Sequence, residues 1–199
     1  MSGSKGDQDR PAGSRARLIA AAGRLFHERG YAATGLSEIL AAAGAPKGSL
    51  YHHFPDGKAG LAAAALEAAT DALEASLRAE HERARDAAGM IEGYGALLAG
   101  WLEASHFTRG CPVATVALEV TPGDDVAALA VQGAFARWRK ALGDAIRADG
   151  VAPERAGALA GFALSAIEGA LILARTDRDS EPVRAAAREV ASLVRAARP

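Results

Sequence analysis

Residues 44–54 read GAPKGSLYHHF, a tight knot of aromatic and imidazole side chains around the adjacent His52 and His53. Three chemistries suit such a pair: metal ligation, acid–base catalysis, or contact with a polar surface. Neighbours in a helix point about 100° apart, so the two imidazoles cannot serve one metal from one face. No HxxxH, CxxC, HExxH or Gly-x-Ser-x-Gly pattern accompanies them, and the one cysteine, Cys111, is far away in the chain. No metal site, cofactor or catalytic residue is predicted.

The remaining residues with chemistry to offer sit in apolar surroundings. Glu119 and Glu168 each interrupt a hydrophobic run. A carboxylate there must face solvent, find a partner or meet a ligand donor, and the sequence does not choose. Cys111 in such a context is more often a small buried hydrophobe than a redox centre. Tyr94, Trp101, Phe107, Phe135 and Trp138 lie at helical spacing, as core residues first and as walls of a cavity second.

Helices must position all of these. Half of the 199 residues are hydrophobic, largely alanine, while aromatics make up 5%. Alanine with Leu, Arg and Glu favours helix, and period-2 alternation of β-branched residues is scarce, its longest hint being CPVATVALEV. An all-α fold of about nine helices follows. The N-terminus lacks the apolar stretch of a signal peptide, and charges interrupt each Ala-rich run before it could span a bilayer. A soluble cytoplasmic protein without membrane contact is expected. Residues 1–60 carry 8 Lys and Arg against 5 Asp and Glu, a local charge of +3; the remainder carries 15 against 19, or −4. The basic end is the one suited to an anion.

Residues 1–13 read as a disordered tail. A helix begins at Ser14 and stops at Gly30, with Thr34 placed to cap a short second helix, LSEILAAA. Gly44 offers a left-handed turn, Pro46 suits the first turn of a third helix, KGSLYHHF, and Pro55 ends it. Helix, glycine turn, short helix is the signature of a helix-turn-helix. Leu50 and Phe54, four apart, can pack back on Phe26, Ile39 and Leu40, leaving Lys47, Ser49, Tyr51, His52 and His53 largely on other sides.

The stretch GYAATGLSEILAAAGAPKGSLYHHFPDGKAGLAAAAL resembles the DNA-binding domain of the TetR family of bacterial transcriptional repressors. The positions that carry the likeness are Gly30, Tyr31, Thr34, Ala43, Gly44, Lys47, Gly48, Ser49, Leu50, Tyr51, His53, Phe54 and Lys58. Ala45-Pro46 departs from the family's valine and serine cap, replacing a capping bond with a preset φ. Three shorter segments, PDGK, GCPVATVALE and AIEGALILAR, resemble the LmrA/YxaF-like branch of drug and flavonoid response. The resemblance implies a helix-turn-helix domain over 14–57 and an effector-binding and dimerising bundle over 58–199. It implies a homodimer reading a palindromic double-stranded DNA operator, released by a small effector, apolar or aromatic in character. Thr34, Lys47, Tyr51 and Lys58 are then expected on phosphates, and Gly48, Ser49, His52 and His53 near base edges. Lys58 falls in the first turn of the next helix, where only a bound anion makes a cation welcome. The competing classes are an all-α enzyme and a helical adaptor that does not bind DNA.

Beyond the head, helices are expected over about 56–85, 87–108, a short one from Pro112, 124–147, 153–176 and 182–197. In the helix over 153–176, Gly157, Gly161, Ser165 and Gly169 recur every fourth residue and form a smooth ridge that another helix can approach closely. Val183, Ala187, Val190 and Val194 are expected to supply the second helix of that dimer interface.

Overall fold

The computed structural model describes residues 13–120 and 124–199. Nearly all of the expected tail, and the Thr-Pro-Gly of the TPGDD boundary, lie outside the described residues. The described residues form nine α-helices and no strand: α1 Ser14–Arg29, α2 Leu36–Ala43, α3 Lys47–His53, α4 Gly57–Ala84, α5 Ala87–Ala104, α6 Pro112–Ala117, α7 Asp125–Ala148, α8 Pro153–Asp177 and α9 Glu181–Ala196. The β-branched hint CPVATVALEV is α6, started by Pro112 in its first turn and capped by Cys111, whose sulfur accepts from the Ala114 N–H at 3.4 Å.

The helical head closes where the sequence places its breaks. Gly44 sits in the left-handed region (φ 56°, ψ 39°), and the Ala45 N–H returns to the Leu40 carbonyl at 3.1 Å. Pro46 is the N-cap of α3 and not its first helical residue. Thr34 does not cap α2. Gly35 holds that place, with its N–H bound to the Glu38 carboxylate at 3.1 Å. Thr34 is instead fully buried, and its hydroxyl donates to the Gly30 carbonyl at 2.7 Å.

Leu18, Leu25, Phe26, Ile39, Leu50 and Phe54 form one buried cluster that continues into Leu61, Ala62 and Leu66 of α4 and Val113 and Val116 of α6. The expected boundary at residue 57 therefore falls at the start of α4, but the apolar core crosses it. A second cluster fills the far end with Leu77, Ile91, Leu142, Ile146, Leu159 and Val190. Gly95 marks the closest approach of α5 to α9, because a Cβ there would collide with Ala187.

This packing corrects one expectation. Val183, Ala187, Val190 and Val194 are buried inside the protomer, on the face of α9 that meets α5 and α8. They belong to its own core and are not available to a partner. The ridge on α8 is different: Gly157, Ser165 and Gly169 are exposed and Gly161 half-buried, and no atom lies within 4 Å of a Cβ at any of the three glycines. α8 is also the one described helix long and apolar enough to cross a membrane, its most apolar stretch having a mean hydropathy of 1.8. That corrects the expectation that charges break up every such run. Core helices of bundles meet the same length and composition, and α8 packs on both α7 and α9.

Candidate functional site

On α3, Leu50 is fully buried and Phe54 nearly so, while Lys47, Gly48, Tyr51 and His52 are exposed. A Cβ on Gly48 would meet nothing within 4 Å, so the backbone is open to close approach. Ser49 and His53 sit further in. Ser49 keeps a buried hydroxyl without a partner, and His53 Nε2 meets the Ser14 hydroxyl at 2.8 Å. The start of α1 joins this surface: the Arg15 guanidinium lies 5.6 Å from the centre of the Phe54 ring, and Arg17 Nε donates to the Ala43 carbonyl at 2.9 Å. Sequence reasoning passes over Ser14, Arg15 and Arg17, since contacts across 26 to 39 residues leave no local pattern.

Two polar joints connect the head to the bundle. In the first, the Ala32 N–H donates to the Glu119 carboxylate at 2.6 Å and the Tyr31 hydroxyl to Asp124 at 2.6 Å. Burial, then Asp124, pushes the Tyr31 phenol well above its ordinary pKa, so it remains a donor. Lys58 turns into this joint, 4.5 Å from the centre of the Tyr31 ring, with its ammonium donating to the Ala32 carbonyl at 3.3 Å. In the second joint, His27 Nε2 donates to the Gly110 carbonyl at 2.5 Å, and Arg109 pairs with Glu28 at 2.7 Å. Burial is the main cause that lowers the His27 pKa, and the Gly110 bond partly offsets it.

Behind the second joint lies a cavity of about 640 Å³, walled by α4, α5, α7, α8, the segment before α6, and His27 from α1. Tyr94, Trp101, Cys111, Trp138 and Glu168 line it. Tyr94 and Trp101 meet edge to face at 6.5 Å. The Tyr94 hydroxyl and Trp138 Nε1 are buried and have no hydrogen-bond partner. Burial raises the Glu168 carboxyl above its ordinary range, partly offset by a hydrogen bond with the Cys111 thiol. Burial likewise holds that thiol well above its usual pKa, so it stays protonated.

Sequence comparison adds to this geometry. The family model for the bacterial regulatory proteins of the TetR family matches residues 18–65, and that for the C-terminal domain of LmrA/YxaF-like transcriptional regulators matches residues 87–189. The chain belongs to the TetR family. It is 34% identical over 195 residues to an uncharacterized HTH-type transcriptional regulator of Mycobacterium tuberculosis, covering 94% of this chain and 97% of that one. It is 31% identical over 170 residues to the HTH-type transcriptional regulator LmrA of Bacillus subtilis, covering 85% and 90%. The crystal structure of a TetR regulatory protein from Rhodobacter sphaeroides superposes with a TM-score of 0.76 at 26% identity, over 92% of this chain and 99% of that one.

For a TetR-family regulator the structure sorts the expected residues into two places. Lys47, Gly48, Tyr51 and His52 share the outward face of the head, with Ser49 and His53 at its inner edge. Thr34 and Lys58 leave that set, one buried and bonded, the other turned toward Tyr31 and Ala32. Five of the expected cavity residues line one space. Glu119 does not: it holds the Ala32 amide at the first joint. Phe107 and Phe135 also leave the wall and pack against the main core cluster. His27, absent from the expected set, lines the cavity from the head's own first helix.

Proposed function

We propose that this TetR-family regulator is a repressor that binds a palindromic double-stranded DNA operator as a cytoplasmic homodimer and leaves it when a small molecule fills the cavity. The observation that carries this reading is His27. It belongs to α1, which packs under the reading helix, yet it lines the cavity and binds the Gly110 carbonyl of the opposite wall. A ligand that moves the Gly110 segment acts directly on the head. Coupling requires only that the ligand bind the two head positions unequally.

In this reading Lys47 and Tyr51 contact phosphates, while His52 and the open backbone at Gly48 approach base edges, flanked by Ser49 and His53. A second copy packs on the outward face of α8. Phe162, Ile172 and Leu173 are each more than half exposed there, beside the open ridge of Gly157, Gly161, Ser165 and Gly169.

The test is a mobility shift with DNA from upstream of the protein's own gene, repeated across salt concentrations. Lys47→Ala is expected to weaken binding roughly tenfold at low salt, equally for related sequences, and to reduce the salt slope by about 1. A change of sequence preference would remove Lys47 from the phosphate role. No specific shift at any promoter tested would sink the repressor.

A further inference from the structure

The cavity contains a carboxyl group that has no cation partner among the described residues. Glu168 projects from α8 into the space, and only burial and the Cys111 thiol bear on its ionisation. Three of the basic groups around the cavity are committed elsewhere, and a fourth lies at its rim. Arg109 is paired with Glu28, His27 with the Gly110 carbonyl, and Arg175 donates to the Thr108 carbonyl at 3.4 Å; His106 is exposed at the rim. Tyr94 from α5 and Cys111 ahead of α6 are the titratable neighbours within the cavity, and both are held protonated by burial.

Two further groups point to a ligand. The Tyr94 hydroxyl and Trp138 Nε1 are more than nine-tenths buried and unpartnered, a state that native interiors rarely leave uncorrected. Trp138 offers only a donor, Tyr94 a donor and an acceptor, and an ionised Glu168 only acceptors. Tyr94, Trp101 and Trp138 also give the cavity an aromatic lining, which suits a ligand that is itself aromatic.

Building on the effector reading of this cavity, we infer that it takes a lipophilic monocation: a protonated aromatic amine. Its ammonium N–H groups meet Glu168 and the Tyr94 oxygen, and a ring nitrogen or ether oxygen elsewhere on it accepts from Trp138. An anionic ligand would face Glu168 with like charge. A neutral one leaves the carboxyl protonated and gains no charge-assisted bond. Ligand binding also moves a proton. Burial makes Glu168 harder to ionise in the empty cavity than its ordinary 4.5, and an ammonium beside it reverses that preference. Affinity therefore rises with pH until the value Glu168 has in the empty cavity is passed, then levels.

The experiment uses the full-length protein with 9-(aminomethyl)anthracene and its N-acetyl amide, followed by fluorescence titration and by calorimetry in buffers of different ionisation enthalpy. The amine is expected to bind about tenfold more tightly than the amide. Glu168→Gln should abolish that preference, leave amide binding and the helical circular dichroism unchanged, and end the proton release expected on amine binding. Equal affinity for amine and amide, no amine binding, or undiminished amine binding by E168Q overturns the inference. The operator shift of the ligand-free protein is a separate measurement. Its failure would sink the repressor reading and leave the cation site standing, whereas equal binding of the two probes does the reverse.

Discussion

The outward face of α3 and the wall of the cavity both present polar groups without protein partners, and the two differ in what that costs. Lys47, Tyr51 and His52 are exposed, so water satisfies them. Tyr94 and Trp138 are buried with a hydroxyl and an N–H unpaired, each costing about 1–3 kcal/mol until something fills the space. Apart from the buried Ser49 hydroxyl, the outward face of the head carries its polar groups at little cost to folding. In the cavity the same kind of group is a standing loss of stability, which a ligand would return if the proposed function holds. Substitutions in the first place should change binding and leave folding alone, and those in the second should change both, in opposite directions.

The sharpest test lies within α3, where adjacent residues fall on either side of the divide. Leu50 is fully buried and Tyr51 is 49% exposed. Leu50→Ala is expected to cost about 2–5 kcal/mol of unfolding free energy, and Tyr51→Ala to stay within about 0.5 kcal/mol. Operator affinity should fall in both, through a loosened head in one and a lost phosphate contact in the other. Urea unfolding beside the mobility shift separates the two causes. A Tyr51 variant that unfolds as readily as the Leu50 variant would end the claim that the outward face is free of structural duty.

The cavity should answer in the opposite sense. Tyr94→Phe removes a buried hydroxyl that nothing binds, so stability is expected to hold or rise by up to about 1 kcal/mol. Effector affinity should fall with it, since the lost oxygen was available to the ligand. Thermal unfolding of the ligand-free variant reads the first effect and ligand titration the second. A marked loss of stability would show that the hydroxyl has a partner in solution and that the contrast is overdrawn.

The same divide decides what the sequence could disclose. Helix limits and the head were legible because Gly30, Gly44 and Pro112 act locally, and because Leu50 and Phe54 reveal an inward stripe by spacing alone. The two joints were not legible. Glu119 reaches Ala32 across 87 residues and His27 reaches Gly110 across 83, and no local pattern encodes such pairs. Glu119 and Glu168 posed the same question as carboxylates in apolar runs. Packing answered it in two ways, giving one a backbone amide and the other a cavity. The face of α9 was misjudged for a related reason: a stripe of Val183, Ala187, Val190 and Val194 shows that a face is buried, not against which chain.

The smallest expected effect sits where the two regions meet. His27 is half-buried between the head and the cavity, and its lowered pKa means that the folded protein resists a proton which the unfolded chain accepts. Above the ordinary value of 6.5 neither state takes up that proton and His27 adds no pH dependence. As pH falls below 6.5 the unfolded state gains it first, so stability declines until the folded value is reached and is flat beyond. The slope cannot exceed one proton, about 1.4 kcal/mol per pH unit. Groups shared by wild type and His27→Gln cancel in the difference of their unfolding free energies, and Gln still offers an N–H toward Gly110. That difference should drift against the wild type as pH falls below about 6.5, and level once the folded value is passed. A constant difference would mean that water already reaches the imidazole, and that the second joint is open where the structure closes it.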